Sequence, residues 1–152
     1  MPKVGVALSV RNQKAVNQAG PLLDEISESW RKIEDHFKNS GILRGVTLKA
    51  WDMLSSPETG ESFIGIAFIG VQKVKGSWHV CFGTWTDGCP EDEIVWLPVG
   101  ECSSELRIDL LDHVEKLHEE LVESNETYVA SIQAAADKAV RVVEKLDPSG
   151  LF

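Results

Sequence analysis

An α+β fold is predicted for this chain of 152 residues: an N-terminal helix, an antiparallel meander sheet of about four strands, and a long or broken C-terminal helix. Three observations predict it. Leu23, Ile26, Trp30, Ile33 and Phe37 recur at spacings of three and four, which makes one apolar helical stripe. From Val46 the apolar period changes to two, as in strands. Beyond Ser103 the three–four rhythm returns and lasts to Leu146. Helices flanking an uninterrupted run of strands are expected to cover one sheet face, within a single domain spanning 1–152.

Gly20-Pro21 reads as the start of the first helix, because proline at the first helical position lacks only an N–H that would be unpaired anyway. Asp24 and Glu25 follow in the first turn, where negative charge suits the helix dipole. Asn39-Ser40-Gly41 is the expected stop. Whether 12–19 forms an earlier helical turn stays open. The first strand is VTLKAWDML, and 55–60 (SSPETG) reads as a loop. SFIGIAFIGV and SWHVCFGTW form a hairpin around Lys75-Gly76, and Asp87-Gly88-Cys89-Pro90 turns into a short last strand, EIVWLPV. Ser103 or Ser104 caps the C-terminal helical segment, 103–146.

A two-residue loop at Lys75-Gly76 pairs residues whose numbers sum to 151, so Val71 opposes Val80, Ile69 opposes Phe82 and Ala67 opposes Thr84. That face is the cleaner apolar one and is expected under the helices. The other carries Ile66, Phe68, Gly70 and Gln72 against Trp85, Gly83, Cys81 and His79, with Trp51 beside them if the first strand continues the alternation. It is too apolar to stand in water, and the VGVALSV segment, a second subunit or a ligand is expected to cover it. Trp51, Phe68, His79, Cys81 and Trp85 are therefore the candidate ligand-binding residues.

The C-terminal segment is too long for the sheet beneath it. Continuous, it would exceed roughly 60 Å, whereas a strand of eight to ten residues spans ~30 Å. Either the chain breaks near 123–126 (ESNE), or the helix runs straight and its second half packs on another copy, with Asn125 as a polar register-setter in a coiled coil. Tyr128, Ile132, Ala135, Ala139 and Val142 are the candidate dimer-interface residues, and a homodimer is the preferred expectation.

Fifteen Lys and Arg against 24 Asp and Glu give a formal charge of −9, which disfavours nucleic acid and anionic membrane surfaces and favours basic protein partners. The apolar run Val4 to Val10 is short for a signal sequence, and no stretch approaches a membrane span. Three cysteines do not make a disulfide framework, so a cytoplasmic protein with reduced thiols is expected.

Four chemical possibilities stand out against ordinary packing. His79 and Cys81 lie two apart on a strand and could share an ion, but no Cys-x-x-Cys pair exists to complete a site, so no metal and no cofactor is expected. Cys89 is followed by Glu91, Asp92 and Glu93, which raise a thiol's pKa and argue against a nucleophile. Asp109 with His113 and Asp112 with Lys116, each four apart, resemble surface pairs more than an acid–base site. The five tryptophans read as core, or as an aromatic surface for a partner. No residue is assigned a catalytic role. The functional expectation is a non-catalytic interaction protein, an adaptor or an acidic inhibitor of a basic partner. The alternative is a small-molecule binding domain or small enzyme using the His79, Cys81 and Trp85 face.

Overall fold

The computed structural model describes residues 2–53, 65–86, 93–147 and 149–150, with side chains from residue 5 onward. The expected turns at 55–60 and 87–90, Cys89 included, lie outside the described residues. The order is α1 (Pro2–Ser40), β1 (Val46–Met53), β2 (Gly65–Val74), β3 (Ser77–Thr86), β4 (Val95–Pro98), α2 (Ser104–Leu110) and α3 (Val114–Leu146). Single 3₁₀ turns at Val99–Glu101 and Leu111–His113 join the last elements. The four strands pair antiparallel in the order β1-β2-β3-β4, a meander.

The hairpin follows its turn chemistry. Lys75 and Gly76 both take positive φ, 50° and 85°, as a two-residue loop matching the strand twist requires. The register is the one that loop dictates: Val71 opposes Val80, Ile69 opposes Phe82 and Ala67 opposes Thr84. Ala67, Ile69, Val71 and Val80 are buried, and the last three join Trp30, Phe37, Leu110, Leu117 and Leu121 in one core under the helices.

Three expectations are corrected. The first helix does not begin at Pro21; it runs from Pro2 through Pro21, which lies inside it. Proline there removes the N–H that would bond the Asn17 carbonyl, yet the helix continues, so the reading of Gly20-Pro21 as a start was wrong. Second, the C-terminal segment breaks at Leu111–His113, not near residue 125. That tight turn lets Leu110 face α1 while Leu117 and Leu121 face the sheet. Third, a β-bulge between Lys49 and Trp51 shifts the β1 register, so that Trp51 opposes Ala67. One extra residue reverses the parity of everything beyond it. Trp51 therefore lies on the helix-covered face, stacked on Phe82 at 5.9 Å and beside His113.

Other local expectations hold. Gly41, at φ 94°, ends α1, and Ser103 caps α2 by accepting from the Leu106 N–H. The surface pairs expected of Asp109 with His113 and Asp112 with Lys116, by contrast, do not form as ion pairs among the described residues, where the 3₁₀ turn interrupts the four-residue spacing.

The helices run in the same direction over the sheet. Trp30 Nε1 donates to the Arg107 carbonyl (2.9 Å), Phe37 meets the His118 ring edge-on (5.4 Å), and the Asn125 amide donates to the Gly41 carbonyl (3.1 Å). Each step along α1 is thus matched by a step along α2 and α3. The unpacked first half of α1 and the unpacked second half of α3 consequently leave from opposite ends of the sheet.

Candidate functional site

The middle of the second sheet face is covered from within the chain. Trp96 of β4 opposes Gly83, and its ring lies over both Gly83 and Gly70, with Phe68 at 6.5 Å. A Cβ on Gly83 would stand 2.6 Å from the indole, and one on Gly70 2.8 Å from it. The two glycines are the recess that the indole fills. VGVALSV is helical, and its residues 5–10 are exposed rather than a cover for this face.

Of the five candidate ligand residues, Phe68, His79, Cys81 and Trp85 share the second face in register, and Trp51 does not. Trp51 is on the opposite face, Phe68 packs with Trp96, and Trp85 pairs with Ile66 near the far end of the hairpin. Cys81 is fully buried, with its thiol directed at the His79 carbonyl (3.5 Å). Its burial pushes the thiol up to about 12, only partly offset by a backbone hydrogen bond from Gln72. Such a thiol is neither a nucleophile nor a ready metal ligand. Among the described residues, no three His, Cys, Asp or Glu side chains are placed to hold a metal ion.

The Cys81 shift has a definite sign in stability. Above pH ~9 an unfolded chain releases the thiol proton while the folded one keeps it until about 12. The contribution is whole below pH ~9 and is lost as the pH rises toward 12. Urea midpoints should therefore fall between pH 9 and 11, and Cys81→Ala should fall less steeply. Equal slopes would contradict the assignment.

His79 has a structural partner that the sequence pattern did not reveal. Its Nδ1 lies 2.8 Å from Glu34 Oε1 of α1, and the same oxygen accepts the Val80 N–H at 3.2 Å. Because a carboxylate accepts, the proton sits on Nδ1. β4 pairs with β3 only over Cys81 to Thr84, so the Val80 N–H has no strand neighbour there. Glu34 supplies the missing acceptor and fastens α1 to the open edge of β3.

Beside this latch is a cleft of ≈ 200 Å³ lined by Ser27, Trp30, Glu34, Val99, Gly100 and Arg107. Arg107 Nη1 donates to Ser27 Oγ (3.0 Å), and its buried Nε has no partner among the described residues. The volume is below the roughly 300–1,000 Å³ of ordinary small-molecule sites. The small-molecule reading gains little from it.

The exposed helical arms are the larger feature. In α1, Val6, Leu8, Val10 and Val16 are exposed, and Arg11 and Lys14 stand among them. These apolar residues fall on different sides of the helix, since positions two apart face opposite ways. On α3 they are ordered. Leu121, Asn125, Tyr128, Ile132, Ala135, Ala139, Val142 and Leu146 alternate spacings of four and three, one continuous seam. Val129, Ala136 and Val143 flank it.

Leu117 and Leu121 bury this seam on the sheet, and beyond Tyr128 it is bare: Ile132 is 47% exposed, Val142 44% and Leu146 70%. Arg44 covers the Tyr128 ring at 5.2 Å. Asn125 is occupied within the chain, accepting from the Leu43 N–H and donating to the Gly41 carbonyl. It anchors the loop after α1 and is not a free register-setter.

No helix among the described residues is long and apolar enough to cross a membrane. Compared with protein-family models, curated proteins and solved structures, the chain matches none of them.

Proposed function

We propose that this is a non-catalytic interaction protein that acts as a homodimer, with the projecting half of α3 as its association surface. The observation that carries the reading is the continuity of that seam: the face that is core at Leu117 and Leu121 continues uncovered to Leu146. A long apolar stripe left in water is a solubility liability, and burying it against another helix removes the cost. The reading takes three of the chemistry-bearing side chains as structural. Cys81 is a buried thiol, His79 is tied to Glu34, and His113 packs on Trp51.

The charge of −9 supports a basic protein as any foreign partner of the dimer, with association weakening as salt rises. That is the adaptor or inhibitor form of the proposal.

Ile132→Glu tests the reading in the full chain. Ile132 is half exposed, so the substitution leaves the fold intact while putting a charge in the seam. Sedimentation velocity should show a dimer for the native chain and a dissociation constant raised on the order of a hundredfold, or about 2.7 kcal/mol, for the variant. A native chain that stays monomeric up to hundreds of micromolar overturns the reading.

A further inference from the structure

Resting on that reading, we infer that two copies join through their α3 arms in an antiparallel, two-fold symmetric pair centred beside Asp137. The occupant of the seam is a second copy of the same helix running the opposite way.

Orientation follows from the sheet. A helix packed on the seam must lie about 8–10 Å from α3. In a parallel pair, residues 114–124 of the other copy would occupy that position beneath Leu117 and Leu121, where Ile69 and Val71 of the sheet already pack. An antiparallel partner meets only the bare part of the seam and carries its own sheet away in the opposite direction.

Register follows from side-chain size. When positions sum to 274, Tyr128 meets Leu146, Ile132 meets Val142, and Ala135 meets Ala139. Large residues oppose large ones at both ends, and alanines oppose alanines around the axis, where the helices can approach closely. The seam is a palindrome in volume, which a closed isologous interface requires. Its length also matches. The last seam residue before the end of α3, Leu146, falls opposite the first beyond the sheet, Tyr128, so neither arm runs into the other copy's body.

The buried area suits a modest dimer. A fully buried aliphatic side chain accounts for roughly 60–120 Å² of apolar surface. Val129, Ile132, Val142, Val143 and Leu146 are each 44–70% exposed. With Tyr128, the alanines and the lysine stems, the pair buries on the order of 1,000 Å², near the lower bound for a specific interface. A micromolar dissociation constant is expected. The α1 arm makes a poorer occupant, because its exposed apolar residues do not form one face. Pairing α3 with α1 of another copy would also join unlike surfaces, a heterologous contact that closes only if its rotation happens to do so.

Disulfide trapping in the full chain tests the arrangement. In a Cys89→Ser background, Ile132→Cys and Val142→Cys are made on separate, distinguishably tagged chains, mixed, and oxidised mildly. The expected product is the mixed disulfide, with little of either homodisulfide. Abundant Ile132→Cys homodisulfide means a parallel pair and overturns the inference, while the dimer reading survives. A dimer in which no combination is trapped, or assembly that grows without limit as concentration rises, overturns it equally. A monomer throughout removes the inference and the reading together.

A second measurement uses charge. In this register Lys138 flanks the seam one residue from the axis, which would bring the Lys138 side chains of the two copies near each other across it. Mixing Lys138→Glu with the native chain should raise the heterodimer well above the statistical half. A parallel pair sets Lys138 against Ala136 or Val143 and predicts the statistical half, which would overturn the inference.

Discussion

Placing valine at Gly83 is expected to destabilise the fold by roughly 1–3 kcal/mol, the usual range for forcing extra carbons into a filled site. The new Cβ would begin 2.6 Å from two ring carbons of Trp96 and 2.9 Å from Ile94 Cγ2. The indole cannot recede toward the sheet, because Gly70 already lies directly beneath it. It must swing out, uncovering Phe68 and the second sheet face. The cost therefore comes from displaced packing and not from β-propensity, which by itself favours valine in a strand. A double-mutant cycle separates the two. With Trp96→Leu already present, Gly83→Val should cost less than ~1 kcal/mol in urea unfolding. A cost unchanged by Trp96→Leu would refute the account.

Glu34→Ala is expected to cost about 1.5–3 kcal/mol, the range for hydrogen bonds to a charged group. One carboxylate oxygen serves both His79 Nδ1 and the Val80 N–H, and Val80 is only 1% exposed. Alanine leaves that amide without an acceptor at the point where β4 has ended. Glu34→Gln keeps a carbonyl for Val80 but loses the charge, so it should cost about half as much. Amide exchange gives a local check: the Val80 N–H should exchange faster in Glu34→Ala, with Ile69 and Val71 far less affected. Equal loss for both substitutions would mean that the latch works by packing and not by hydrogen bonding.

Much of the architecture was legible in the sequence because its signals were local. Lys75-Gly76 determines both a turn type and a parity, and parity alone placed Val71, Val80 and Ile69 under the helices. Parity failed at Trp51 because a bulge leaves no mark in the alternation when both faces of a strand carry apolar residues. Pro21 misled because proline is favoured in the first turn, and the preceding residues lack a strong stripe with which to contest that start. The 3₁₀ turn at Leu111–His113 was invisible for the opposite reason: its residues continue the helical rhythm unbroken, and tertiary packing alone divides it.

The separation of Trp51 from the other candidate ligand residues, and the indole lying over their face, rest on long-range facts. Trp96 had been placed on a strand, but no periodicity could show that its ring crosses two strands to cover Gly70 and Gly83. The Glu34–His79 latch is likewise 45 residues apart in sequence. By contrast, the seam of Tyr128, Ile132, Ala135, Ala139 and Val142 was readable because a helix keeps its period whether or not anything covers it.

Pro21 gives α1 a mechanical character beyond its length. The residues after it, from Ile26 through Trp30 to Phe37, are built into the core, while residues 5–20 before it are exposed. Pro21, which has no N–H to give the helix, thus coincides with the boundary between the anchored and the free part of it. A load on the first twenty residues would be taken up as bending at this joint. Trp30 would keep its bond to Arg107, and the tip could re-aim while the body held still.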